Sequence, residues 1–219
     1  MARENIYFLI PNLIGYIRIL FVVVSFYFCF EKHYLFLSFC SISQLLDGLD
    51  GFLARYFRQA TRYGVVLDMV TDRASTAALL IASTKVYPEY AQLFMALITL
   101  DIVSHFAHVY SSLMRRKQSH KLISKDQNWL LRLYYTNKTA LFTLCLGHEA
   151  YLLLLYLLHF KPQCSLSFQS RAIILPFLTY SLGMLFALKQ LINVIQLIKA
   201  AQDTAKFDIE ERQEKQSNL

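Results

Sequence analysis

Cysteine is scarce in this chain, and none of it sits where a site would need it. The 219 residues include four cysteines, Cys29, Cys40, Cys145 and Cys164, with no CxxC pair and no Cys/His metal spacing. That excludes a zinc-ribbon or dithiol redox centre. Three of the four lie in apolar runs and are expected to be reduced packing residues. There is no Gly/Ser linker and no internal repeat, so one domain over residues 1–219 is expected, with the tail 201–219 solvated. A clear secretory signal is lacking too. Asn12, Gly15 and Arg18 interrupt the first apolar stretch and no small-residue cleavage site follows, so that stretch reads as a retained span.

Apolar residues are abundant. They make up 56% of the chain, too much for an ordinary soluble domain of this length. The pattern predicts an all-α polytopic membrane protein with six transmembrane helices, near 12–30, 34–56, 64–86, 91–113, 139–159 and 172–199. Residues 3–10 are short and amphipathic and are expected to form an N-terminal interfacial helix before Pro11 opens the first span. After Ala200 the sequence mixes both signs of charge and should continue the last span as a solvated helix that then frays. The net charge is +7, with 22 basic against 15 acidic residues. The bases concentrate in two connections. One carries Arg55, Arg58 and Arg62; the other carries Arg115, Arg116, Lys117, Lys121, Lys125, Arg132 and Lys138. The positive-inside rule puts both connections, and with them both termini, in the cytosol. Nucleic acid is not an expected partner, because the bases flank spans and the aromatics lie within them.

Four aspartates stand out against this background. A carboxylate in hydrocarbon costs roughly 2.5–3.5 kcal/mol on insertion scales, yet Asp47, Asp50, Asp68 and Asp72 fall within twenty-six residues. Asp47 and Asp50 are three apart and Asp68 and Asp72 four apart, so each pair shares a helix face. The hairpin joining the two helices turns near residue 59. Residues 50 and 68 have their midpoint at 59, and 47 and 72 at 59.5. With equal rise on both arms the pairs face each other at one depth, about 13–20 Å from the turn. Four hard oxygen ligands opening toward the cytosol suit Mg²⁺ or Mn²⁺, and with waters and phosphate could hold two ions. Gly51 and Gly64 flank the cluster where a missing side chain would admit a bulky ligand. Arg55 could meet a diphosphate bidentately, and Thr61 offers a hydroxyl at the pocket mouth. The competing reading pairs the aspartates with Arg55, Arg58, Arg62 and Arg73 in a structural network.

Other residues carry weaker signals. Asp101, His105 and His108 share a face of the fourth span and could orient a polyol; an interhelical polar contact is the blander alternative. His120, Lys121, Arg132 and Lys138 could line the polar-substrate entrance or attract anionic lipid. Asn12 and Arg18 could touch a nucleotide from the first span, and Lys189 should snorkel or pair.

The run from Asp47 to Asp72 matches, without departure, the signature Asp-x2-Asp-Gly-x2-Ala-Arg-x8-Gly-x3-Asp-x3-Asp. In this it resembles the CDP-alcohol phosphatidyltransferase family. Pro11-Asn12-Leu13-Ile14-Gly15-Tyr16-Ile17-Arg18, Thr71-Asp72-Arg73, Ser119-His120-Lys121 and residues 130–149 are similar to its inositol-using members. The resemblance implies a six-helix, usually homodimeric enzyme of the endoplasmic reticulum membrane. Its substrates would be CDP-diacylglycerol and myo-inositol. It further implies metal binding by Asp47, Asp50, Asp68 and Asp72, a general-base role for Asp72, and substrate contacts from Gly51, Arg55 and Thr61. Two alternatives stay open: a family member with another acceptor, such as glycerol phosphate, serine or choline, and a divalent-metal carrier. A carrier should open to both sides, whereas this cluster lies toward one.

Overall fold

The computed structural model describes residues 5–118, 138–160 and 173–217. Among these residues the secondary structure is entirely helical. There are six long helices: α1 (Ile10–Phe28), α2 (His33–Tyr56), α3 (Arg62–Val86), α4 (Ala91–Gln118), α5 (Lys138–His159) and α6 (Leu175–Ser217). They correspond one to one with the six expected segments. Helix α6 runs well beyond residue 199, as the mixed-charge tail suggested, and is helical to Ser217.

Four stretches are long and apolar enough to cross a membrane: Ile10–Phe28, Pro88–Met114, Thr139–His159 and Leu175–Ser217. Helices α2 and α3 are of spanning length at 24 and 25 residues. They fall outside that apolar class because their middles carry the acidic and basic residues. The N-terminal segment differs from expectation. Its described part is a single 3-10 turn, Ile6–Phe8, capped by Asn5, whose side chain accepts from the Tyr7 N–H. Residues 1–4 lie outside the described residues.

Local chemistry sets the hairpin that carries the aspartates. Helix α2 ends in a Schellman motif: the Gln59 N–H reaches the Ala54 carbonyl at 2.9 Å and the Arg58 N–H the Arg55 carbonyl at 3.3 Å. The motif requires a left-handed residue at Arg58, whose φ is 56°, although it is not glycine. Three residues later Thr61 caps α3, its Oγ accepting from the Gly64 N–H at 3.0 Å. The chain therefore reverses in five residues.

The chain divides into two compact units. The first comprises α1–α3, the start of α4 and the end of α5. Here α1 packs along α2 and α3. Its outer stripe of Leu13, Ile17 and Leu20 is exposed, as suits a lipid-facing surface, and its opposite face buries Asn12, Gly15, Arg18, Val22 and Ser25. A methyl group on Gly15 would lie 2.7 Å from Leu67 Cδ2, so this glycine lets α1 approach α3 closely. Ser43 Oγ donates to the Arg18 carbonyl at 3.3 Å, joining α1 to α2. The end of α5 is held by Tyr156, whose hydroxyl donates to the Cys29 carbonyl and whose ring packs 4.7 Å from that of Phe36. Leu155 accepts from the Tyr87 hydroxyl at 3.0 Å. Cys29, Cys40 and Cys145 are free thiols, as expected; Cys164 lies outside the described residues.

The second unit contains the rest of α4, the start of α5 and α6. Leu144 and Ile192 centre its core, with Leu141, Leu185 and Ile195 around them. A polar seam runs through it. Asn193 Nδ2 donates to Asp101 Oδ1 at 3.3 Å, and Lys189 Nζ donates to Asn193 Oδ1 at 2.8 Å. Gln190 and His148 meet at 3.1 Å. Beyond the core α6 is solvated. Lys215 donates to Glu211 at 2.7 Å, and that bond holds the Glu211 carboxyl below its ordinary range.

Candidate active site

The four aspartates converge. One ligand oxygen from each of Asp47, Asp50 and Asp68 lies within 4.8 Å of the others. Asp72 joins them through a shared partner, the guanidinium of Arg18. Arg18 Nη1 donates to Asp50 Oδ2 and to Asp68 Oδ1, both at 2.7 Å. Its Nη2 donates to Asp72 Oδ1 at 2.7 Å and pairs with Asp47 Oδ1 at 2.5 Å. One planar group can touch all four only if Asp47 and Asp50 on α2 face Asp68 and Asp72 on α3 at the same depth. The hairpin midpoints near residue 59 required this.

The charge partner is where sequence reasoning went astray. The bases flanking the hairpin do not hold the carboxylates in the structure. Of the four arginines in the competing structural-network reading, Arg73 approaches one carboxylate, 3.8 Å from Asp72 Oδ2. Arg18 was expected beside a nucleotide; it lies instead at the centre of the carboxylates, with its side chain 1% exposed. The available signal was a single charge in the middle of an otherwise uncharged span. Burying a lone guanidinium in hydrocarbon costs about as much as burying a carboxylate, so an acidic partner was implied.

A cleft adjoins the cluster, with about 220 Å³ of space. Asp50 and Asp68 line it together with Asn12, Gly51, Ala54, Arg55, Gln59, Thr61 and Gly64. Gly51, Arg55 and Thr61 are thus gathered around one opening. Arg55 is exposed, in the last turn of α2. Its guanidinium lies over Gly51, where an added methyl would meet Nη1 at 3.5 Å. Thr61 has its Oγ engaged as the α3 cap, which leaves the hydroxyl proton to be donated elsewhere.

Gly64 acts differently from expectation. An added methyl there would stand 2.8 Å from Asn12 Oδ1 and 3.2 Å from Thr61 Oγ. The space at Gly64 is therefore taken by a protein side chain, not kept for a ligand. Asn12 is 2% exposed and donates from Nδ2 to the Ile6 carbonyl at 2.6 Å, pinning the N-terminal turn beside the cleft. Gln59 adds a second tie, its side-chain oxygen accepting from the Ile10 N–H at 3.2 Å. No local pattern in the sequence reveals these ties, since they join residues up to 49 apart.

The remaining weaker candidates, apart from Asn12 and Arg18, belong to the second unit or lie outside the described residues. Asp101 is 2% exposed and bound to Asn193, while His105 Nδ1 lies 2.8 Å from the Asp101 carbonyl of its own helix. The Asp101–Asn193 contact matches the interhelical reading, while that of His105 stays within α4. Lys189 pairs, with Asn193. His120, Lys121 and Arg132 lie outside the described residues, and Lys138 opens α5.

Chemically, four carboxylates around one small volume form an all-oxygen donor set. Hard divalent cations prefer such a set over softer ions.

Residues 8–197 match the family model of the CDP-alcohol phosphatidyltransferases. The chain is 42% identical to the CDP-diacylglycerol–inositol 3-phosphatidyltransferase of Homo sapiens, over 98% of this chain and 100% of that one. It is 40% identical to the Schizosaccharomyces pombe protein of the same name, over 95% and 93%. Against the Saccharomyces cerevisiae protein of that name the figures are 39%, 98% and 94%. No solved structure matches it.

Proposed function

Because this chain belongs to the CDP-alcohol phosphatidyltransferase family, we propose that it transfers the phosphatidyl group of CDP-diacylglycerol to myo-inositol and releases CMP. Likeness over nearly the full length to inositol 3-phosphatidyltransferases from animals and fungi supports inositol over glycerol phosphate, serine or choline as acceptor. The observation that carries the reading is the meeting of Asp47, Asp50, Asp68 and Asp72 beside a cleft rimmed by Gly51, Arg55 and Thr61. The chain is a single catalytic domain in this reading. All six helices span the bilayer, and α2 and α3 gather their aspartates in the carboxylate cluster. The basic connections and both termini face the cytosol, the membrane is that of the endoplasmic reticulum, and the enzyme is a homodimer.

The donor set fits Mg²⁺ or Mn²⁺, and two ions suit four carboxylates and a diphosphate. Asp47, Asp50, Asp68 and Asp72 would hold them. When bound, such ions polarise the diphosphate and offset charge on the leaving CMP. The chain's own groups do the rest. The cleft is too small for a diacyl lipid, so the acyl chains stay in the bilayer while the diphosphate enters between Arg55 and Thr61. Arg55 presents a planar pair of donors to the phosphate oxygens, and the Thr61 hydroxyl adds one more. Asp72 accepts the proton of an inositol hydroxyl. The inositol oxygen bonds to the phosphorus that carries diacylglycerol, the bond from that phosphorus to the bridging oxygen breaks, and CMP departs with the oxygen. A carboxylate is a weak base for an alcohol, but the alcohol grows acidic as it attacks, so the proton moves late.

The test is release of CMP from CDP-diacylglycerol by the purified protein, with and without myo-inositol and Mg²⁺. Release should require both. Inositol-independent release at full rate, or equal rates with serine or glycerol phosphate, would defeat the assignment. Uptake of divalent ions through the protein without CMP release would favour a metal carrier.

A further inference from the structure

Arg18 donates terminal N–H groups to Asp50, Asp68 and Asp72, and its Nη2 also forms an ion pair with Asp47, so its guanidinium touches all four aspartates. Nothing else among the described residues holds its guanidinium: Nε is buried and makes no hydrogen bond there. The group is therefore placed by the four carboxylates alone. Reciprocally, among the described residues it is the base in short contact with all four, Arg73 standing 3.8 Å from Asp72. Without Arg18, four negative charges would converge with no cation on α1 to balance them.

We propose that Arg18 is the resident counter-cation of the quartet, and that divalent ions bind by exchange with it. In this account Arg18 keeps Asp47 and Asp50 in register with Asp68 and Asp72. An arriving ion takes over carboxylate oxygens that the guanidinium occupies, and the guanidinium withdraws from them. The inference rests on the divalent-metal reading given above. Arg18 is a positioning residue here, since it acts on the carboxylates and not on substrate. Its presence keeps the carboxylates ordered and, by competing for them, weakens metal affinity. The site would then fill only at the free-ion levels of a compartment rich in Mg²⁺, and would release its ions readily.

The measurement is Mn²⁺ binding to full-length protein in detergent micelles, followed by the electron paramagnetic resonance signal of free Mn²⁺, with no substrate present. The variants are Arg18→Gln, Arg18→Lys and Asp68→Asn. Exchange predicts that Arg18→Gln binds Mn²⁺ about tenfold more tightly than wild type, with a lower melting temperature in chelator and a larger rise on adding Mn²⁺. Arg18→Lys keeps the charge but has three donors instead of five, and should bind about threefold more tightly. Gel filtration reports which variants are folded, and a tighter Mn²⁺ affinity in either folded variant supports exchange. Unchanged or weaker affinity in both overturns it. Wild-type protein that takes up no Mn²⁺, or takes it up equally well as Asp68→Asn, defeats the metal reading itself and exchange with it. Tight wild-type binding that Asp68→Asn weakens, with no gain at position 18, defeats exchange alone.

Discussion

Adding one methyl group at Gly64 tests the packing that frames the cleft. In Gly64→Ala the new carbon would stand 2.8 Å from Asn12 Oδ1, a distance that forces movement, and 3.2 Å from Thr61 Oγ, which a few tenths of an ångström relieve. Asn12 cannot yield easily. It is 2% exposed and its amide is committed to the Ile6 carbonyl at 2.6 Å. Overpacking of this kind costs about 1–3 kcal/mol. Replacing glycine by alanine inside a helix returns about 1 kcal/mol, so the net loss should be about 0–2 kcal/mol. Asn12→Ala alone should cost about 1 kcal/mol for the lost hydrogen bond. The informative quantity is the effect of Gly64→Ala in the Asn12→Ala background. With Oδ1 gone the collision disappears and only the helix-propensity gain remains, so the same substitution should change sign and stabilise. The coupling between the two sites should be at least about 1 kcal/mol. The assay is unfolding of the four proteins in one detergent, with the KM for CDP-diacylglycerol measured in parallel; KM should rise in Gly64→Ala and recover in part in the double variant. Equal destabilisation in both backgrounds would refute the claim that Asn12 fills the space at Gly64.

Three further outcomes are expected. Asp72→Asn should lower turnover by about 10²-fold or more, while binding of CDP-diacylglycerol, measured by equilibrium dialysis of a short-chain analogue, changes far less; turnover near wild type would remove Asp72 as the base. Arg55→Lys keeps the charge but loses the planar fork, so KM for CDP-diacylglycerol should rise about tenfold with KM for inositol unmoved, and a rise confined to inositol would place Arg55 on the wrong substrate. Arg58→Gly should stabilise the protein by about 1 kcal/mol in thermal unfolding, because a left-handed backbone strains any side chain; destabilisation would show that the Arg58 side chain makes a contact worth more than its strain.

The hairpin was legible in the sequence because its determinants are local. Carboxylate spacings of three and four fix the face, and the shared midpoint fixes the depth; Asp47 to Asp72 needs nothing beyond helix geometry. The six helices were legible for the same reason, and the ends of α2 and α3 fell within two residues of expectation. Arg18 was not. Its partners depend on how far α1 is shifted along α2 and α3, which no spacing within α1 encodes. Asn12 does line the cleft, but its bond to the Ile6 carbonyl was not legible, since that carbonyl belongs to a separate turn outside α1. Gly64 was recognised as needed but for the wrong neighbour. A glycine announces that space matters, not what fills it.

The close approach at Gly15 has a consequence for how this protein can change over time. Gly15 touches none of the carboxylates, yet it sets the gap between α1 and Leu67 on α3, and Arg18 follows it by three residues. A side chain at 15 would press on Leu67, and wherever that leucine could not turn aside α1 would move out and carry the guanidinium with it. The position behaves as a ruler for the arginine's reach. A substitution there would be read as loss of chemistry in the two neighbouring helices, and could be repaired by a smaller residue at 67 without any change among the aspartates.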